Sequence, residues 1–510
     1  MKKLFLLLLA LNVFVLSSQN FNQLVPSGIY PYEFNSYTND LEGYYLTTPV
    51  FINNTPANFL SAAYIIDNNG DLIWYTASDY LFLLDFKFLV KNKKFSITKS
   101  DLNIYNNPRY HIYNKSFDIQ DSIFAVNAKV DIHDIIETKE GGYVINTQRD
   151  SLFDLTGYTF NGQPGKPNTV CIGTGIQEFD SNLNLIFDWN PNDYIHPSEV
   201  VDGYPGSTDS AHFDYAHINS VDKDTLGNYY ISMRHTNCVY KISPTGNIIW
   251  RLGGKLSDFT FVNDSGFSGQ HDARIKANGN ISLFDNTNTS TLKESRGVEY
   301  ALDTINWTAS LVKETKSLDS IYAMAMGNYQ QINSNAYLLN YGFLYRPSPS
   351  ILVLDDANLE EVSIVFPDSV VSYRTRFYEK SWFENILVQP KVVCADSTSF
   401  QKRLIAPSGY DKYIWSNGDT TQEITVNQSG DYKFWVNFGE GMLGSKTISV
   451  DVMLSCQQIT SVLNTKQEKT EEVQAIYNVL GEKIPALEKG KVNIIQYTSG
   501  RIERTLPITQ

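Results

Sequence analysis

The chain holds only seven histidines, at 111, 133, 196, 212, 217, 235 and 271, and six of them fall between 133 and 271. Four stand in polar settings beside strand-like runs. His133 opens His133-Asp134-Ile-Ile, and His217 opens His217-Ile-Asn219-Ser220. Arg234-His235 ends Tyr229-Tyr-Ile-Ser-Met233, and His271 sits between Gln270 and Asp272-Ala-Arg274. A neutral imidazole, with an unperturbed pKa of ~6.5, is a competent nucleophile or general base near neutral pH. Arg234 adds a planar fork of donors that suits an oxyanion. Such residue types suit a nucleophile, a proton carrier and an oxyanion binder. No H-x-x-x-H or H-E-x-x-H spacing is present, so no metal site is expected. His235 follows Arg234, so its side chain is expected on the opposite strand face, in a structural role. His111, His196 and His212 read as surface or loop residues. Asp272 and Asp285 are placed to orient histidines or simply to make turns.

The elements that must position these groups read as strands. Before residue 460, short apolar and aromatic runs alternate with Asn, Gly, Asp and Pro clusters, an all-β pattern. Several copies of a turn followed by an apolar strand recur. Asp71-Leu-Ile-Trp74 follows Asn69-Gly70, Asn184-Leu-Ile-Phe187 follows Asp180-Ser-Asn, and Asn247-Ile-Ile-Trp250 follows Thr245-Gly246. Weaker copies end at Trp307 and Val362. The endpoints are 113, 63, 57 and 55 residues apart, which fits one unit with one copy too divergent to see. A small sheet repeated at this period predicts propeller blades, and blade-end loops bring distant residues together at the axis.

Past residue 388 the texture changes. Tyr413-Ile-Trp-Ser-Asn-Gly-Asp419, Glu423-Ile-Thr-Val-Asn427 and Ser429-Gly-Asp-Tyr432 give strand and turn signals over the size of a small sandwich. Cys394 and Cys456 bracket it, an immunoglobulin-like module whose bridge would clamp its first and last strands. The four cysteines allow three pairings; by region they group as Cys171 with Cys238 and Cys394 with Cys456. Residues 457–475 are polar, a linker by composition. The tail, with Ile476-Tyr-Asn-Val-Leu-Gly-Glu-Lys-Ile484 and Lys489-Gly-Lys-Val-Asn-Ile-Ile-Gln496, resembles the sorting domain of type IX secretion substrates. That resemblance implies the type IX machinery as a partner and passage across the outer membrane.

Five motifs in order carry a more specific resemblance: His217-Ile-Asn-Ser220, Ile231-Ser-Met-Arg-His235, Ile248-Ile-Trp-Arg-Leu-Gly-Gly254, Gln270-His-Asp-Ala-Arg274 and Ser282-Leu-Phe-Asp-Asn286. With His133-Asp134 they resemble the signature of aryl sulfotransferases, over residues 45 to 385. The resemblance implies a six-bladed β-propeller that moves sulfuryl groups from an aryl sulfate to a phenol without a nucleotide or other cofactor. It implies His271 as the transiently sulfurylated nucleophile. His217, Asn219 and Arg234 would bind the sulfuryl oxygens, and His133 would assist. The absence of a G-x-x-x-x-G-K-[ST] loop agrees with a nucleotide-free donor. The alternative is a propeller without catalysis, serving as a surface binding or adhesion module.

Composition bounds these readings. The net charge of −14 argues against nucleic acid, whose phosphates demand a basic face. Lys2, Lys3, the apolar run Leu4 to Leu16, and Ser17-Ser18 read as a signal peptide, and no later run is long enough for a transmembrane helix. The predicted division is therefore a signal peptide at 1–18, a propeller at 19–388, an immunoglobulin-like domain at 389–456, a linker at 457–475 and a sorting domain at 476–510, in an exported protein of the cell surface or exterior.

Overall fold

The computed structural model describes residues 23–38, 41–51, 61–78, 81–101, 108–204, 213–344, 349–383, 386–398 and 400–457, with four short strands between 473 and 505. The predicted signal peptide and most of the predicted linker lie outside the described residues. The chain is nearly all β, and among the described residues no helix is long and apolar enough to cross a membrane.

Among the described residues of 33–379 there are six sheets with four antiparallel strands each at their heart, and one two-stranded hairpin of Thr159–Phe160 with Gln163–Pro164. Sheet 4 shows why. Its strands are Ile218–Lys223, Tyr229–Met233, Cys238–Ile242 and Ile248–Gly253. Between the first two, Asp224 accepts the backbone N–H groups of Leu226 and Asn228 at 2.9 and 2.8 Å, and Gly227 takes φ +85°. A short carboxylate that mimics a backbone turn, followed by a residue free to adopt positive φ, reverses the chain tightly. The same device joins third to fourth strands elsewhere, at Asp67, Asp180 and Asp355. Asn114 repeats it in sheet 2, ahead of Ile119–Ile123. That is the copy too divergent to see in the sequence: its turn is opened by Asn114 instead of Asp and carries Phe117, at φ +61°, where the Asp67, Asp180 and Asp355 turns carry Gly70, Leu183 and Asn358.

The first strands of the sheets are Val370–Glu379, Leu81–Leu89, Lys129–Glu137, Ile218–Lys223, His271–Ile275 and Asn328–Gln331. Each adjoins the next, and the last adjoins the first, so the arrangement is propeller-like. Two strands link the start and finish of this region. Glu33–Ser36 completes sheet 6 beside Glu360–Val365, and Val370–Glu379 begins sheet 1 beside Gly43–Phe51. Apolar cores fill the wedges between neighbouring sheets; that between sheets 3 and 4 holds Val144, Ile176, Trp189, Ile231 and Tyr240.

The segment after residue 388 does not stand apart. Gly441–Gly444 pairs with Leu72–Ser78, so sheet 1 runs on through Phe434–Phe438 to Tyr413–Trp415. Trp415 and Phe434 share one core with Trp74, Phe86 and Phe95. A disulfide joins Cys394 to Cys456, whereas Cys171 and Cys238 are buried free thiols, contrary to the grouping by region. Their strands belong to different sheets, and both side chains serve as small apolar groups in the wedge between them. Four tail strands, Val473–Asn478, Lys483–Ile484, Asn493–Tyr497 and Ile502–Thr505, form a small antiparallel sheet.

Candidate active site

The first strands are irregular where they reach the axis. Pairing shifts between Leu84 and Lys87, between Ile218 and Ser220, and between His271 and Arg274. Asp85, His217 and Asp272 sit at φ +51°, +51° and +56°. Bulges of this kind re-aim side chains and gather near functional sites. Here they deliver two adjoining clusters.

The first is a buried ion network. Asp134 lies 2.6 Å from Lys87, 2.9 Å from Arg274 and 3.2 Å from Arg374. Asp272 lies 2.5 Å from both Arg274 and Arg376, and Asp85 pairs with Lys87 and Arg374. Burial pushes the Asp134 carboxyl up, but Arg274, Lys87 and Arg374 outweigh it and hold the group well below the usual carboxylate range. Asp272 therefore belongs to this network and Asp285 bonds Arg296 at 3.0 Å; neither orients a histidine.

The second cluster gathers the histidines. His271 is buried, 2% exposed; its Nδ1 faces Asn286 Oδ1 at 2.8 Å and the Gly269 carbonyl at 2.9 Å, while Nε2 accepts the Met326 N–H at 3.1 Å. Burial, then the Arg234 charge, pushes its pKa well below the usual histidine value, against the Asn286 hydrogen bond. His271 is thus a neutral imidazole with its lone pair on Nε2.

His217 directs Nδ1 to Asp214 at 2.5 Å, and its ring stacks on His235 with centroids 4.5 Å apart. His133 directs Nδ1 to Asp131 at 2.5 Å and meets His217 edge-on at 5.0 Å. His133 and His217 line a cavity of about 310 Å³ with Lys129, Gln148, Ile172 and Thr174. Desolvation raises the Asp214 pKa, but the charge and hydrogen bond of His217 outweigh it and keep the group a carboxylate. Asn219 gives its Nδ2 hydrogen to the Gln270 carbonyl, one residue before His271, leaving its buried Oδ1 without a partner among the described residues.

Arg234 lies between these groups and is 9% exposed. Its Nη1 donates to His235 Nε2 at 3.0 Å, its Nη2 to the Met324 carbonyl at 3.2 Å, and its guanidinium lies 4.9 Å above the Tyr204 ring. Its Nε has no hydrogen-bond partner and no carboxylate lies within 4.0 Å among the described residues. A buried cation with no carboxylate in contact is costly, and burial lowers its pKa against the pull of Tyr204 and the Asp214 charge. An anionic ligand would remove that cost.

His133, His217, Asn219, Arg234 and His271 thus come from sheets 3, 4 and 5 to one place. Sequence reasoning discounted His235, which instead packs inside the cluster. It is neutral, with burial and the His217 charge pushing its pKa down to about 3. His111 is also no surface residue: it is buried in Arg109–Tyr113 and bonds Ser122 at 2.9 Å. His196 is half-buried and caps a short turn at Ser198, and His212 lies outside the described residues. Asp131, Asp214 and Asn286, the groups that orient the histidines, were missed; two lie within three residues of their histidine, and Asn286 closes a quoted motif. Donor atoms of Asp214, His217 and His235 fall within 4.8 Å of one another, a spacing open to a metal ion, but Arg234 already sets its charge against His235.

Residues 100–347 match the model of the arylsulfotransferase (ASST) family. The match spans just under half of the chain, contains all five site residues, and supports the aryl sulfotransferase family. No curated protein matches this sequence. Among solved structures, a protein of unknown function from Bacteroides caccae is 10% identical, covers 66% of this chain and 100% of its own, and has a TM-score of 0.43. A catalytically inactive virginiamycin B lyase from Staphylococcus aureus, with quinupristin, is 10% identical over 66% and 99% of the two chains at 0.30. The C-terminal WD40 domain of Sif2 is 4% identical over 92% and 97% at 0.30. Likenesses this loose carry neither a fold nor a function to this chain.

Proposed function

We propose that the protein is an exported aryl sulfotransferase, a six-bladed propeller that moves a sulfuryl group from an aryl sulfate to a phenol through a sulfurylated His271. The observation that carries this reading is Arg234, a guanidinium nine-tenths buried, without a carboxylate, in contact with the histidine cluster. A sulfuryl group supplies the missing negative charge and matches the guanidinium fork. Neutral His271 attacks sulfur through Nε2, which requires the Met326 N–H to give way as the donor binds. Arg234 stabilises the sulfuryl oxygens as charge develops, an effect worth about 3–4 kcal/mol for a well-placed donor, and His217 passes a proton to the departing aryloxide. Asn219 gives one Nδ2 hydrogen to the Gln270 carbonyl, and its free Oδ1 suits a phenol hydroxyl. His133 assists proton transfer. The signal-like N-terminus and sorting-like tail support export through the type IX machinery, with residues 389–456 as an immunoglobulin-like module.

A chromogenic assay tests the reading. Purified protein should release nitrophenol from nitrophenyl sulfate only slowly alone, and much faster with added phenol, which becomes sulfated. Inorganic sulfate as the main product would mean hydrolysis. No turnover on any aryl sulfate would favour a binding or adhesion module. Removal of residues 476–510 should stop surface display; normal display of the truncated protein would contradict the sorting role.

A further inference from the structure

We infer that Asp214 and Asp131 are positioning residues that make His217 and His133 a matched pair of proton carriers, each presenting Nε2 to the same cavity. The inference rests on the transfer reading and deepens it. Each carboxylate grips its histidine twice. Asp214 accepts the His217 backbone N–H at 3.1 Å and faces its Nδ1 at 2.5 Å; Asp131 does the same for His133, at 3.1 and 2.5 Å. An ionised carboxylate can only accept, so Nδ1 must carry the hydrogen, and in neutral imidazole Nε2 then holds the lone pair. The two grips come from different sheets, yet the rings meet at 5.0 Å on one cavity wall. Neither carboxylate pairs with Lys or Arg among the described residues, whereas Asp134 and Asp272, on the first strands of sheets 3 and 5, are each ion-paired with Lys or Arg. His235 has the same tautomer, fixed by the Asp214 carbonyl at 2.6 Å, but its Nε2 is taken by Arg234, so it carries no proton.

The protons balance through both half-reactions. His271 Nε2 forms a bond to sulfur as the S–O bond of the aryl sulfate breaks, and the departing aryloxide takes a proton from the Nε2 of protonated His217. The incoming phenol returns a proton to that Nε2; its oxygen bonds sulfur, the S–N bond breaks, and the electron pair goes back to His271. His133 exchanges the proton with His217. A carboxylate behind each ring keeps the proton on the cavity side in both directions.

Nitrogen-15 spectra of histidine-labelled protein, together with the Asp214→Asn and Asp131→Asn variants, test this. In the wild type, neutral His217 and His133 should be protonated at Nδ1 alone. An asparagine can offer N–H to Nδ1 and so permits the opposite tautomer. Asp214→Asn should therefore show Nε2 protonation, a kcat lower by about 10²–10⁴-fold, a donor KM within about threefold, and a displaced pH profile. Asp131→Asn should do the same more weakly. Protonation of Nε2 in the neutral wild type, or an unchanged kcat in folded Asp214→Asn, would overturn the inference. The tautomer readout needs no turnover, so failure of the transfer reading would be seen separately, as an unlabelled His271.

Discussion

The buried ion network and the histidine cluster are built from neighbouring residues. Asp134 follows His133, Asp272 follows His271, and Arg374 donates to the carbonyls of both His133 and Asn219. In the network every charge has an opposite charge within 4 Å, drawn from sheets 1, 2, 3 and 5. In the cluster Arg234 has none; atoms without a hydrogen-bond partner among the described residues occur in both regions, such as Asp272 Oδ2 and Arg374 Nε in the network and Asn219 Oδ1 and Arg234 Nε in the cluster, so the contrast is one of charge pairing. The difference teaches where the fold holds itself and where it waits for a ligand. The network pairs its charges within the protein; the cluster leaves a buried guanidinium without a carboxylate in contact.

The comparison breaks most sharply at His271. Replacing it with alanine should abolish transfer, by at least about 10⁴-fold in kcat, in a protein that circular dichroism shows still folded. Arg374→Met should do the reverse: it leaves Asp85 and Asp134 short of a buried partner and should cost about 3–5 kcal/mol in chemical denaturation. Arg234→Lys should lower turnover by about 10²-fold, because an ammonium is a point charge and cannot reproduce the fork, while stability changes little.

The pH dependence of stability sharpens it further. Folded His235 titrates at about 3 and His271 well below its usual value, while unfolded histidine titrates near 6.5. The unfolded chain therefore binds protons first as pH falls. Their contribution is complete above about 6.5 and declines below it, by up to about 1.4 kcal/mol per pH unit for each histidine. Denaturation between pH 6.5 and 4 should show this slope, and His235→Gln should remove part of it. The smallest effect belongs to Arg403–Glu423, a pair of the same chemistry on the surface. Glu423→Gln should change stability by no more than about 0.5–1 kcal/mol.

Much of this was legible because short-range rules govern it. The Asx turns at Asp67, Asp180 and Asp355 repeat with the sheets, and the five site residues stand in motifs. What was hidden is long-range. Nothing in Gly441–Gly444 says that it will pair with Leu72–Ser78, which draws the C-terminal segment into sheet 1. The side-chain alternation that assigned His235 to the opposite face assumes a regular strand, but His235 lies just past Met233, where the chain turns. Asp214 and Asp272 look alike beside their histidines; only the positions of Arg274, Arg374 and Arg376 decide which one holds a ring.

The most direct test of the account is where the sulfuryl group rests between the two half-reactions. Protein mixed with aryl sulfate alone, quenched rapidly at alkaline pH and digested, should carry a sulfuryl group on His271 by mass spectrometry, and added phenol should discharge it. A group mapped reproducibly to another residue, or full turnover without any labelled enzyme, would contradict the account.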